Sequence, residues 1–241
     1  MSAKINCFIP FQDKDQVKET VRNLKSSELV SKIYLLAQTG ADAEFEGCSV
    51  LQVDSLNSTE TIKAIAQKAD AEYSMIYTKY TTLELGYFAL ERFVRIAEDS
   101  GASMLYADYY QIANGKKSAA PVIDYQFGSL RDDFNFGSLL FYNSRALRCG
   151  AERMKQDYKF AGLYDLRLKV SQKGALVHIN EYLYSEIELD NRKSGEKIFD
   201  YVDPKNRGVQ IEMEQACTEH LKEIGGYLEP KFKHIEFNEN N

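Results

Sequence analysis

The sequence predicts an α/β fold, a mainly parallel sheet flanked by helices, and three observations carry that reading. Short apolar runs alternate with amphipathic helical stretches through the first half of the chain. Capping residues mark where those helices begin. The length of 241 residues and a hydrophobic content of 44% are enough to bury one substantial core.

Ile5-Asn6-Cys7-Phe8-Ile9 is an apolar run closed by Pro10, a first strand stopping at a loop. Asp13 is placed as an N-cap with Gln16 at the reciprocal capping-box position, and Val17, Val21 and Leu24 follow on one helical face. Lys32–Leu36 and Ser49–Val53 read as the second and third strands. Ser58 caps the next helix, with Glu60 in its first turn and Ile62, Ile65 and Ala69 facing inward. A strand then runs to Thr78. Thr82 is expected to cap a longer helix through Leu83, Leu90, Phe93, Val94 and Ala97, ended by Gly101. Met104–Ala107 is a fifth strand terminating at Asp108.

The second half departs from strict alternation. Tyr109–Ile112 leads into Asn114-Gly115, a strong hairpin signal. Residues 116–135 read as irregular, Leu139–Tyr142 as a strand, and 162–172 as a helix with Gly174 as its C-cap glycine. Leu176–Ile179 is a strand. Asp203 and Pro204 open a last helix through Met213, Cys217 and Ile224, stopped by Gly225-Gly226, and the tail past Pro230 is expected to fray. The division expected is one domain over residues 1–190, with a C-terminal helix and tail over 191–241.

Composition excludes several classes of function. A net charge of −6 argues against a general binder of nucleic-acid backbone, while leaving room for a local basic pocket. Cys7, Cys48, Cys149 and Cys217 are scattered, without the spacing of a zinc site or a disulfide framework. No apolar run approaches the ~18 residues of a membrane span, and the start lacks the layout of a signal peptide. These features predict a cytoplasmic protein with reduced thiols.

Set in order, the pieces from about residue 4 to 190 resemble a family 2 glycosyltransferase of the GT-A fold. Phe8-Ile9-Pro10-Phe11-Gln12-Asp13 is similar to the family's opening strand and loop, and Phe136–Phe141 to its acceptor-side strand, followed by Ser144-Arg145-Ala146-Leu147. Tyr164-Asp165-Leu166-Arg167-Leu168-Lys169-Val170, followed by Gly174, resembles the segment that carries the catalytic base. The resemblance implies transfer of a sugar from a nucleotide-diphosphate donor to a saccharide acceptor. In the family a divalent ion, held by an Asp-x-Asp element, neutralises the leaving diphosphate, and an acceptor-side carboxylate takes the hydroxyl proton.

This chain departs from that pattern where the metal is held. The Asp-x-Asp position reads Thr78-Lys79-Tyr80, with no carboxylate. Lys79 either offsets diphosphate charge as a fixed cation or is simply solvated at a loop. The donor-base position, Leu36 to Gly40, offers Gln38 where the family has an aspartate. Asp108 either replaces the missing ligand, the one route to a Mn²⁺ or Mg²⁺ site, or is an aspartate at a strand end beside sheet-favouring tyrosines. Asp165 is either the base or a carboxylate favoured by the helix dipole. Arg131-Asp132-Asp133 is placed in a surface loop and His178 in a strand as a packed residue. Donor contacts are expected from Pro10, Phe11, Gln12, Asp13, Gln38, Lys79 and Asp108. The alternative to catalysis is a silent GT-A domain that binds a glycan, nucleotide or partner. Similar domains form the N-terminal half of tandem bacterial glycosyltransferases of saccharide-polymer synthesis, which implies a second, catalytic domain as a partner.

Overall fold

Strand β1 (Ile5–Phe11) is buried along its whole length, so both of its faces are covered. In the computed structural model, which describes residues 4–188 and 207–231, it lies near the middle of a mixed nine-stranded sheet. It pairs in parallel with β2 (Val30–Gln38) on one side and β4 (Tyr73–Tyr77) on the other, and β3 (Ser49–Val53) extends the sheet beyond β2. The strand does not stop before Pro10. Pro10 lies opposite Leu36 of β2, whereas the pairing with β4 has ended at Phe8. The missing proline N–H therefore deprives no partner on that side.

The early helices follow their capping signals. In α1 (Lys14–Lys25) the Asp13 side chain accepts from the Gln16 N–H at 2.8 Å. In α2 (Thr59–Lys68) the Ser58 hydroxyl accepts from the Thr61 N–H at 3.2 Å. Thr82 behaves differently. It begins β5 (Thr82–Leu85), which pairs antiparallel with the end of β9 (Leu176–Ile187) and whose Leu83 N–H is bonded by the Thr20 hydroxyl of α1. Sheet pairing wins over the local capping pattern. Helix α3 (Ala89–Ser100) starts later, after Phe88 in the left-handed region at φ 56°, and ends at Gly101.

Strand β6 (Met104–Ala113) also continues through Asp108, where its pairing with β9 is interrupted by a bulge, and turns at Asn114-Gly115 into β7 (Lys116–Ala120). Both turn residues have positive φ, as a tight hairpin turn requires. Strand β8 (Leu139–Asn143) inserts antiparallel between β4 and β6, giving the order β3-β2-β1-β4-β8-β6-β9-β5 with β7 on β6. Asn143 caps α4 (Ser144–Glu152), a helix not expected from the sequence.

Helix α5 (Gly162–Ser171) is buried on nearly all sides. Gly162 lets its start approach the α2 cap, since a Cβ there would lie 2.4 Å from the Thr59 nitrogen. Gly174 is not the C-cap of this helix; Gln172 is, and Gly174 is small because it lies against the Ser103 hydroxyl. Helix α6 (Arg207–Glu223) packs on α5 through Tyr164, Leu168 and Ala216 and closes with the paired bonds Gly226 N–H to Leu221 and Gly225 N–H to Lys222. The expected start at Asp203-Pro204 and the tail beyond Lys231 lie outside the described residues.

Candidate functional site

The sheet order reverses direction between β1 and β4: the chain leaves β1 for β2 and β3 on one side, then returns to β4 on the other. Such a switch point opens a crevice at the carboxyl ends of the two strands. Phe11-Gln12-Asp13 and Thr78-Lys79-Tyr80 are the residues at those ends. One buried amide joins them. Gln16 accepts from the Gln12 N–H at 3.1 Å and donates Nε2 to the carbonyls of Pro10 and Thr81, each at 3.1 Å. Thr78 is held from the other side, its N–H and hydroxyl both donating to the Ser138 carbonyl at 2.9 and 3.1 Å.

Lys79 projects from this loop half-exposed and pairs with Glu186 Oε2 of β9 at 3.0 Å. Glu186 itself is buried, and its second oxygen has no hydrogen-bond partner. Nothing local in the sequence marked it; it arrives through the pairing of β9 with β5 and β6. Its charge joins burial in pushing the Tyr77 phenol well above its usual range.

Beside Thr78 a cavity of about 290 Å³ opens between the segment 132–137, α5 and Met213 of α6. Phe134, Phe136, Phe160 and Leu163 supply its apolar wall, and Tyr142, Tyr164, Arg167, Asn135 and Asp132 its polar groups. Arg167 is buried; it donates to the carbonyls of Ser129 at 2.9 Å and Arg131 at 2.7 Å and lies over the Tyr164 ring at 4.8 Å. Asp132 sits exposed on the rim, while its neighbour Asp133 is held by Arg131 at 2.8 Å. A member of that surface triplet therefore reaches the cavity.

The residues expected to act are not brought together in one place. Asp165 does not line the cavity. It is fully buried on the opposite side of α5, 3.6 Å from the Lys169 ammonium and without a hydrogen-bond partner for either oxygen. Desolvation, only partly opposed by Lys169, raises its pKa to about 6. The reason is angular: on a helix, residues 165 and 169 share a face that turns away from 164 and 167. Asp108, also buried, accepts from the Val122 N–H at 2.8 Å and contacts His178 Nε2 at 3.0 Å, whose Nδ1 meets Asp124 at 2.7 Å. It fastens the segment after β7 to the sheet. Gln38 is exposed at the end of β2 opposite Val53. A carboxylate does stand nearby, since Asp54 accepts from the Thr39 hydroxyl at 3.0 Å.

These donors do not suit a divalent ion. The Thr78–Tyr80 loop carries no carboxylate, the Asp108 oxygen Oδ1 is taken by Val122 and His178, and among the described residues no three His, Cys, Asp or Glu side chains form a metal-binding group. The conditional Mn²⁺ or Mg²⁺ site at Asp108 therefore has no geometry to support it.

Solved structures share this architecture. The S. aureus TarS fragment 1–349 in complex with UDP-GlcNAc superposes with a TM-score of 0.63 over 90% of this chain and 66% of that one, at 12% identity. The same fragment with UDP gives 0.60 at 10% identity, covering 90% of this chain and 65% of that one. The fold is GT-A glycosyltransferase-like. Mannosyl-3-phosphoglycerate synthase from Rubrobacter xylanophilus agrees, with a TM-score of 0.56 at 11% identity over 95% of this chain and 77% of that one. The present GT-A chain spans just under two thirds of the TarS fragment's length. No protein-family model matches it, and no curated protein matches it by sequence. No helix among the described residues is long and apolar enough to cross a membrane.

Proposed function

We propose that this domain binds a nucleoside diphosphate sugar at the β1–β4 crevice and transfers the sugar to a saccharide hydroxyl presented from the neighbouring cavity. The observation that carries the reading is the placement of that cavity. It borders Thr78, at the carboxyl end of β4 and next to the switch point where open α/β sheets bind nucleotides. The likeness to a TarS fragment that holds UDP-GlcNAc supports it.

On this reading Pro10–Asp13 and Gln38 flank the donor, and Lys79 meets its diphosphate. A lysine is a compact cation on a flexible stem, suited to leave Glu186 and follow charge that builds as the diphosphate departs. The bond from the sugar's anomeric carbon to the phosphate oxygen breaks as the bond to the acceptor oxygen forms. The acceptor proton passes to a carboxylate, and Asp132 is the only carboxylate lining the cavity among the described residues. Asp165 is assigned instead to the buried charge cluster around Lys169 on the α6 side of α5, and Asp108 to anchoring the segment after β7.

Thermal-shift titration with UDP, UDP-GlcNAc and UDP-glucose tests the donor half. A concentration-dependent rise in Tm for UDP and the sugar donors, reduced in Lys79→Met, is expected. No shift with any nucleoside diphosphate would overturn the assignment. For the chemistry, Asp132→Asn is expected to reduce transfer about 10²-fold or more while leaving the UDP shift in place.

A further inference from the structure

We propose that the cavity beside Thr78 takes an anionic group carried on a sugar-like body, so that the acceptor is a phosphorylated or carboxylated saccharide. This deepens the transferase reading and rests on it for the word acceptor. The binding chemistry stands on the cavity alone.

Helix α5 carries two buried cations that are treated oppositely. Lys169 has carboxylates at 3.6, 3.1 and 3.0 Å, from Asp165, Glu219 and Glu223. Arg167, two residues earlier and 5% exposed, forms no ion pair among the described residues. Its guanidinium donates to the backbone carbonyls of Ser129 and Arg131, and the rings of Tyr125, Phe136 and Tyr164 lie 4.8–5.8 Å from its central carbon. Carbonyls and ring faces temper the charge without neutralising it. A guanidinium has five N–H donors, so donors remain for a ligand on the cavity side.

The second observation is independent. Tyr142 lines the same cavity, and its hydroxyl is fully buried with no hydrogen-bond partner among the described residues. A buried O–H left unmade carries a desolvation penalty that a bound acceptor oxygen would remove. Around these two donors the wall is apolar and aromatic, from Phe134, Phe136 and Leu163. Aromatic and apolar faces suit the C–H faces of a sugar ring, and two donors backed by one positive charge suit a carboxylate or phosphate oxygen. Asp132 stays on the rim and does not neutralise Arg167, which keeps the positive field inside and a proton acceptor outside.

Isothermal titration of the full chain with glucose, glucose 6-phosphate and glucuronate, without nucleotide, tests the idea. At least one anionic sugar is expected to bind tenfold or more tightly than glucose, and the preference between phosphate and carboxylate names the group. Tyr142→Phe, which removes an unpartnered hydroxyl and keeps the ring, is expected to fold normally and to weaken the anionic sugar about tenfold. Arg167→Lys, which keeps the charge and loses the fork, is expected to weaken it further. Equal binding of all three sugars, binding of none, or an unchanged affinity in Tyr142→Phe overturns the inference. UDP titrated into the same chain separates the two readings: UDP binding without anionic-sugar binding removes only this inference, and the reverse removes only the donor site.

Discussion

The two sides of α5 solve the same problem in opposite ways. Towards α6, Lys169 is enclosed by Asp165, Glu219 and Glu223, with Arg153, Lys155 and Gln172 completing the network around Glu223. Towards the cavity, Arg167 is buried on two backbone carbonyls with no counter-ion among the described residues, and the Tyr142 hydroxyl is buried without an acceptor among them. A buried network bridging two helices fixes their relative placement, because removing its central cation strands the carboxylates around it. A buried cation without a counter-ion and an unmade hydroxyl, both on residues that line a cavity, are what a binding site offers before its ligand arrives. The difference separates the structural face of this helix from the functional one.

The largest expected effect is at Lys169. Lys169→Met leaves three carboxylates without their central cation, and a loss of about 3–5 kcal/mol in chemical denaturation is expected. Arg167→Met strands no opposite charge, so its cost should be smaller, about 1–3 kcal/mol from lost carbonyl bonds and packing. Equal losses in the two variants would erase the distinction.

Proton linkage sharpens the same contrast. Asp165 has its pKa raised from 3.8 to about 6, chiefly by desolvation, so the fold holds its proton more tightly than the unfolded chain does. Its favourable contribution is complete below the unfolded value and is lost as pH rises through about 6. Asp165→Asn should therefore stabilise the protein by about 1–3 kcal/mol at pH 8 and by little at pH 4, measured as denaturation free energy at both values. A residue acting as catalytic base would show a loss of transfer instead of this gain.

Glu223 has the opposite sign. Burial alone would raise it, but hydrogen bonds from Lys169, Gln172 and Lys155 hold its pKa at about 2. Its stabilisation is present above the unfolded value near 4.5 and is lost as pH falls towards 2, so acid should loosen α6 from α5 first. Hydrogen exchange of α6 amides compared between pH 5 and pH 3 checks this. At Tyr142→Phe, stability without ligand should rise by about 1 kcal/mol, since no bond is removed and the desolvation penalty of an unmade buried hydroxyl is relieved.

Local signals carried much of this architecture. Asp13 with Gln16, Ser58, Asn114-Gly115 and Gly225-Gly226 act within a few residues, and each stands where the sequence placed it. Long-range pairing decided the rest. Thr82 has a capping pattern and became an edge strand because β9 offered it a partner. Glu186 and Tyr142 carry no motif, and their positions follow only from how β9 and β8 sit in the sheet. In the segment Tyr164–Val170, Tyr164 and Arg167 line the cavity while Asp165 faces away from it, and spacing alone does not say which stripe of a fully buried helix meets a cavity.

The proposed donor site works through Lys79, and the described residues offer it no set of metal ligands. Calorimetric titration of UDP into the full chain, first in EDTA and then with manganese, tests it most directly. Binding is expected in EDTA, little strengthened by manganese and weakened about tenfold or more in Lys79→Met, as loss of a charge-assisted contact implies. UDP binding that requires manganese, or that is indifferent to Lys79, would contradict it.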